Sequence, residues 1–205
     1  MEIVAITICV KYADILKHVL HQNSKFLKMW YIVTSSDDTD TLQLIENTHS
    51  PNIQALIYTG FFQEGCSFNK GGALRFAQDH IDTKHSYANV LILDADIYLP
   101  HNFRKVLPKN LEETTLYGVS KRIDYWTLED FRANHNRHIY KYGNQFVGFF
   151  QLYKQCSLKY KDSRNCKQCD MDFLELFPRK KHLSIIVKHL GKDDVNHDGR
   201  TWYIE

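Results

Sequence analysis

The sequence predicts an α/β domain built on a mostly parallel central sheet flanked by helices. Three observations predict it. Short apolar, β-branched runs alternate with stretches of helical periodicity through the first ninety or so residues. The run Val90-Leu91-Ile92-Leu93 passes without a break into Asp94-Ala95-Asp96, as a fully buried strand does when it surfaces at its carboxyl end. A chain of 205 residues, 43% hydrophobic and 24% charged, has the balance of one globular domain with a sizeable core.

Taken in order, residues 2–10 read as a first buried strand. Ile15, Leu16, Val19 and Leu20 recur at helical spacing and place a helix over 13–22. Met29 to Thr34 reads as a second strand, ending at Ser35-Ser36-Asp37-Asp38. A helix starting near Thr39 carries Leu42, Leu44 and Ile45, and Pro51 closes it. Ile53 to Tyr58 reads as a third strand. Asn69 to Ile81 reads as a third helix with Leu74, Phe76 and Ala77 apolar, and the strand leading to Asp94 is the fourth. This β-α-β-α-β-α-β order, with right-handed crossovers, resembles a nucleotide-binding half-domain. No Gly-x-Gly-x-x-Gly follows the first strand and no Walker A sequence is present, so a nucleotide would bind by other means. Beyond residue 100 the pattern is less regular. Strands are expected at 116–120, 145–153 and 184–190. The polar stretch 129–143 reads as a loop, or a short helix plus loop.

With no internal repeat or linker, residues 1–205 read as a single domain. Two large aromatics near its end, Trp202 and Tyr203, leave room for a longer protein of which this is the N-terminal part. A net charge of +2 gives no case for nucleic acid, and no apolar run approaches a membrane span. Five cysteines, an odd count without a secretory signal before them, suggest free thiols and a cytoplasmic setting. Cys166-x-x-Cys169 has no second pair at zinc spacing and no thioredoxin-like context, so neither zinc nor redox work is expected of it.

The candidate site centres on Asp94 and Asp96. Ligands of open α/β sheets bind beyond the carboxyl ends of strands. In an extended chain Ala95 points away, so both carboxylates can face one hard divalent cation. An isolated Asp-x-Asp is more often a solvated turn; the rest of the chain shifts that balance. Thr7, Cys9 and Tyr12 lie at the end of the first strand, where a base could sit over backbone and ring. Asp37 and Asp38 could accept hydrogen bonds from a nucleobase or ribose, and would equally suit capping of the next helix. Asn69-Lys70-Gly71-Gly72 opens a helix whose free N–H groups would attract phosphate, with Lys70 and Arg75 adding positive charge. His189, at the end of the last strand, suits a Mn²⁺-like ion beside carboxylates.

Together, Asp94-Ala95-Asp96, Asp37-Asp38, Asn69-Lys70-Gly71-Gly72-Ala73 and Val187-Lys188-His189-Leu190-Gly191 resemble the motifs of GT-A fold glycosyltransferases, in order and over most of the chain. Within that family the sequence looks like the N-terminal domain of chlorella-virus enzymes that glycosylate a capsid protein. The resemblance implies a GT-A, Rossmann-like fold, a UDP-sugar donor such as UDP-glucose, a Mn²⁺ or Mg²⁺ cofactor and a hydroxyl of a glycan or glycoprotein as acceptor, a hexosyl transfer. Asp96 and His189 would hold the metal, Asp94 would contact ribose or metal, and Ala95 would count among the nucleotide-binding residues. Asp38 and Thr7 would face the uridine, and Lys70 the phosphates or sugar. Asp170, with Asp172 second, would be the base of an inverting reaction. The family's usual Glu is Cys169 here. Gly148-Phe149-Phe150-Gln151 would line the acceptor side.

Two other readings compete. A sugar-phosphate nucleotidyltransferase also places carboxylates and metal on such a sheet, but carries a Gly-rich basic loop where this chain has Val10-Lys11-Tyr12-Ala13. A non-catalytic nucleotide-sugar-binding scaffold would keep the fold without needing Asp94, Asp96 and His189 together.

Overall fold

The computed structural model describes residues 1–63, 65–143, 146–166 and 168–191. Gln145, Lys192, Trp202 and Tyr203 lie outside the described residues. The first half follows the expected alternation: β1 (Ile3–Ile8), α1 (Ala13–Ser24), β2 (Met29–Thr34), α2 (Thr39–Asn47), β3 (Ile53–Ile57), α3 (Lys70–Lys84) and β4 (Asn89–Leu93). These four strands pair in parallel in the order β3-β2-β1-β4, with Ala5 opposite both Trp30 and Leu91.

Why the strands read as unbroken apolar runs is plain from their two faces. Ile3, Ala5, Leu91 and Leu93 pack on one side with Ile15, Leu16 and Val19 of α1. Val4, Ile6, Val90 and Ile92 pack on the other with Ala73, Leu74 and Ala77 of α3. Both faces of β1 and β4 are covered, so their central positions are apolar, and the polar ones that remain, Thr7 and Asn89, lie toward a strand end. The first two crossovers run outward from β1, whereas α3 returns the chain past β2 and β1 to β4. The direction of winding therefore reverses between β1 and β4, and at such a switch point open α/β sheets bind their ligands in the crevice beyond the strands' carboxyl ends.

The second half completes a mixed sheet. Its elements are β5 (Ile97–Tyr98), α4 (Phe103–Val106), β6 (Thr115–Tyr125), α5 (Leu128–Arg132), β7 (His138–Lys141), β8 (Phe150–Lys154), α6 (Cys169–Glu175) and β9 (Arg179–Leu190). β8 pairs antiparallel with β4 and meets β6 at Tyr117–Leu152. β6 runs parallel to β9, β9 pairs antiparallel with β5, and β7 flanks β6.

Several expectations need correction. β6 continues to Tyr125, and its Lys121-Arg122 pair hid the continuation. The 129–143 stretch contains β7, which pairs with β6 over Lys121–Asp124. β9 begins at Arg179, because its charged first half alternates exposed and half-buried positions before Leu183, Ile185, Val187 and His189 turn inward. Phe76 is 39% exposed, since the buried stripe of α3 passes through Ala73, Leu74, Ala77 and Ile81. All five cysteines are free thiols. Among the described residues no helix is long and apolar enough to cross a membrane.

Candidate active site

β4 delivers Asp94 to the crevice, where Lys70 from the first turn of α3 meets it. Lys70 Nζ lies 3.2 Å from Asp94 Oδ1 and 2.8 Å from Asp170 Oδ2, so one buried ammonium joins two carboxylates from distant parts of the chain. Burial opposes that charge, but Asp170 and Asp94 outweigh it and hold the ammonium well above the ordinary lysine value. Burial raises the carboxyl of Asp94 above its usual range; Lys70 pulls it back, while Asp96 and Asp170 add to the rise. Asp170 is anchored from behind. The Tyr160 hydroxyl reaches its Oδ1 at 3.1 Å and Gln151 Oε1 at 2.5 Å, and Gln151 Nε2 donates to the Asp170 carbonyl at 3.2 Å. Tyr160 is itself locked by stacking on Phe173, centroids 4.1 Å apart. Gly148 passes directly over this carboxylate: a Cβ there would lie 2.1 Å from Asp170 Oδ2.

A second cluster forms where β5, β9 and β6 lie side by side. The register sets His189 beside Ile97 on one flank and Asp124 on the other. Its Nε2 lies 3.3 Å from Asp96 Oδ2 and its Nδ1 lies 3.0 Å from Asp124 Oδ1. Arg122, two residues back on the same face of β6, pairs with Asp124 at 2.8 Å and lies over the rings of Tyr140 and Phe149. Burial disfavours the charged imidazole, yet Asp96 and Asp124 together raise His189 to about 9. For Asp96, burial pushes upward but His189 prevails and holds the carboxyl below its usual range.

The expected three-residue metal set is not assembled. Among the described residues, no group of three or more His, Cys, Asp and Glu side chains is arranged to hold a metal ion. Asp94 is turned to Lys70, which leaves Asp96 and His189 as the pair. That pair still has the chemistry for a divalent cation: a hard carboxylate oxygen beside an imidazole whose Nδ1 is fixed by a carboxylate, leaving Nε2 as the coordinating atom.

Other expected binding residues have structural duties. Thr7 is fully buried; its hydroxyl donates to the Leu93 carbonyl at 2.6 Å and accepts from the Trp30 indole at 2.9 Å, tying β1 to both neighbours. It presents no hydroxyl to a uridine. Cys9 is buried against Thr41, and burial pushes its thiol up to about 12. Asp38 accepts from the Thr41 N–H at 3.2 Å as the cap of α2, and from the Lys11 N–H at 2.6 Å and the Thr34 hydroxyl at 3.1 Å. Capping is thus its role, together with holding Lys11 in its left-handed conformation, φ 62°. Asp37 is exposed beside it, and Tyr12 is half-buried at the head of α1. Ala95 packs into the core and offers only backbone.

The phosphate cradle expected at the start of α3 is also closed. Asn69 Oδ1 takes the Gly72 N–H at 2.8 Å, and Ser163 Oγ takes the Gly71 N–H at 3.0 Å. The segment 161–163 lies so close that a Cβ on Gly71 would stand 2.0 Å from the Lys161 carbonyl oxygen. The glycine admits this backbone rather than a ligand. Arg75 is exposed and faces Asp162 at 4.0 Å. Asp172 is exposed too and accepts from Gln168 at 2.9 Å, apart from the Lys70 cluster.

Of the expected site residues, the crevice therefore gathers Lys70, Asp94, Asp96, Gly148, Asp170 and His189. Sequence reasoning missed Arg122, Asp124 and Tyr160 altogether. Arg122 and Asp124 carried a signal, an ion pair at strand period, concealed because β6 was ended too early.

No family model and no curated protein matches this chain. Solved structures do. The inositol-1-phosphate CTP transferase from T. maritima superposes with a TM-score of 0.54 at 9% identity, over 97% of this chain and 91% of that one. A 4-diphosphocytidyl-2C-methyl-D-erythritol synthase gives 0.53 at 12%, over 94% and 89%. The glycosyltransferase GlyE of Streptococcus pneumoniae is also similar, with 0.49 at 13%, over 88% of this chain and 45% of its own. At these identities the likeness is one of fold alone: a single mixed α/β, Rossmann-like domain.

Proposed function

We propose that this protein is a metal-dependent glycosyltransferase that moves a sugar from a UDP-sugar donor to a hydroxyl of a glycan or glycoprotein. The observation that carries the reading is the meeting of two clusters at one crevice: Asp96 with His189, and Lys70 with Asp94 and Asp170. The first suits Mn²⁺ or Mg²⁺, held by Asp96 and by His189 Nε2, with Asp124 fixing the ring. Such an ion supplies electrostatic stabilisation of the charge that gathers on a leaving diphosphate. Lys70 adds a cation for the same phosphates. Asp170 takes the proton of the acceptor hydroxyl as that oxygen bonds to the anomeric carbon, and UDP departs with the electrons of the broken bond, the course of an inverting transfer. Tyr160 and Gln151 aim the carboxylate. A viral capsid glycan as acceptor rests on the sequence resemblance alone.

A nucleotidyltransferase is the second reading, favoured by the names of the cytidylyl-handling proteins that share the fold. Against it stands the β1–α1 connection. Only residues 9–12 span it, without glycine, and Asp38 pins its backbone. A triphosphate loop has no room to form there.

Calorimetry with UDP, with and without Mn²⁺, on wild type and Asp96→Ala tests the proposal, followed by UDP release from UDP-glucose. Binding that needs both metal and Asp96 is expected, with a loss of about a hundredfold or more in transfer rate for the variant. Release of pyrophosphate from a nucleoside triphosphate, without UDP release, would move the nucleotidyltransferase ahead. A protein that binds UDP but releases neither product is the scaffold.

A further inference from the structure

Lys70 has two anions and one charge. Its Nζ is the only cation within ion-pair distance of Asp94 and Asp170 among the described contacts, at 3.2 and 2.8 Å. Its side chain is 10% exposed, that of Asp170 is 13% exposed, and that of Asp94 is 35% exposed, so solvent reaches the cluster from the Asp94 side. Asp170 is fixed at its far oxygen by Tyr160 and sterically by Gly148, so it cannot follow Lys70 if the ammonium moves. Lysine, by contrast, has a flexible four-carbon stem and a point charge that re-pairs readily.

We infer that Lys70 is a transferable counter-ion: the ligand-free protein keeps it on Asp170, and a nucleoside diphosphate in the crevice draws it away. Resting on the donor-binding reading above, this adds a consequence. A diphosphate brings charge-assisted hydrogen bonds stronger than those of one carboxylate, and it enters from the open, Asp94 side. As Nζ turns to the phosphates, Asp170 keeps its Tyr160 hydrogen bond but loses its cation. Asp94 is released at the same moment. Asp170 and the diphosphate thus compete for one ammonium, and the competition links the donor half of the site to the base.

Competition gives a binding signature that a structural ion pair does not. Asp170→Asn removes the rival anion, so Mn²⁺-UDP should bind about tenfold more tightly than to wild type, the size of a single charge-assisted contact. Lys70→Met should weaken Mn²⁺-UDP binding by about tenfold or more. In the Lys70→Met background, Asp170→Asn should change the affinity little, because the shared ammonium is gone. Calorimetric titration of UDP at fixed Mn²⁺ into the four proteins measures this cycle, with circular dichroism confirming that each is folded. Should Lys70→Met not fold, Asp170→Asn and Asp170→Glu against wild type decide it, since glutamate keeps the rival charge and the affinity should stay near wild type. An Asp170→Asn gain of equal size with and without Lys70 would be simple charge removal and would overturn the inference, as would no gain. Wild type that binds no UDP with Mn²⁺ overturns both this inference and the donor-site reading; binding with an uncoupled cycle overturns this one alone.

Discussion

Raising the pH of the metal-free protein should unfasten the His189 cluster. In the fold, His189 titrates at about 9 rather than at its ordinary 6.5, because Asp96 and Asp124 outweigh the burial that disfavours its charge. A histidine raised in this sense adds stability that is fully present below its unfolded value and disappears as pH climbs through its folded one. At about 1.4 kcal/mol for each unit of displacement, the rise corresponds to about 3 kcal/mol. The ring is nearly enclosed, its side chain 8% exposed, so solvent screens little of this. Urea denaturation of EDTA-treated wild type and His189→Gln, from about pH 6 to about pH 10, isolates the contribution as the difference between the two. Wild type should lead by about 3 kcal/mol at the acid end and converge on the variant near the alkaline end. A difference that stays flat across the range would refute the charged-cluster argument. If Mn²⁺ binds as proposed, saturating metal should remove the alkaline loss of stability, because the metal would take the place of the Nε2 proton.

Three further outcomes follow from the packing. Gly71→Ala should destabilise the fold by about 1–3 kcal/mol in chemical denaturation, since its Cβ would meet the Lys161 carbonyl oxygen at 2.0 Å and backbone must yield. Asp38→Ala should cost about 1–3 kcal/mol, by loss of the α2 cap and of the Lys11 and Thr34 hydrogen bonds, while Asp37→Ala stays within about 0.5 kcal/mol. If the proposed sugar transfer holds, Gly148→Ala, whose Cβ would lie 2.1 Å from Asp170 Oδ2, should lower it by about a hundredfold through misplacement of that carboxylate, whereas Asp172→Asn should transfer at the wild-type rate.

The first half of the fold was legible because burial on both faces leaves a strand no freedom to be polar. Val90–Leu93 is such a strand, and it names its own end at Asp94. β6 and β9 were harder to read. Each mixes charged residues such as Arg122 and Lys181 with an inward-facing alternate set, and a parallel pairing distant in sequence, not local composition, makes them strands. Of the residues gathered here, Asp96 and His189 were singled out by residue type and strand-end position and Lys70 by its place at a helix start, whereas Asp170 came from the family resemblance alone. What could not be guessed was who holds whom. Asn69, Gly71 and Asp38 look like ligand contacts in sequence, yet the protein's own backbone takes their hydrogen-bonding capacity or the space above them. Tyr160 lies in a stretch without periodicity, and contacts distant in sequence, with Phe173 and Gln78, bring it behind Asp170.

The order of the strands also bears on how the molecule comes into being. β4 stands beside β8, and β6 beside β9, so each of these ladders waits on chain made long after its first strand. Pairings so distant in sequence form slowly, because a large loop must close before any contact rewards it. Asp96 leaves the ribosome well before β9 exists, with neither His189 nor Asp124 yet beside it. The amino-terminal strands can gather a nucleus early, but the cluster at their ends is completed only by β9, the last of the described strands. A nascent or truncated chain that stops short of β9 would therefore carry the Asp-x-Asp signature without the histidine that gives it a partner.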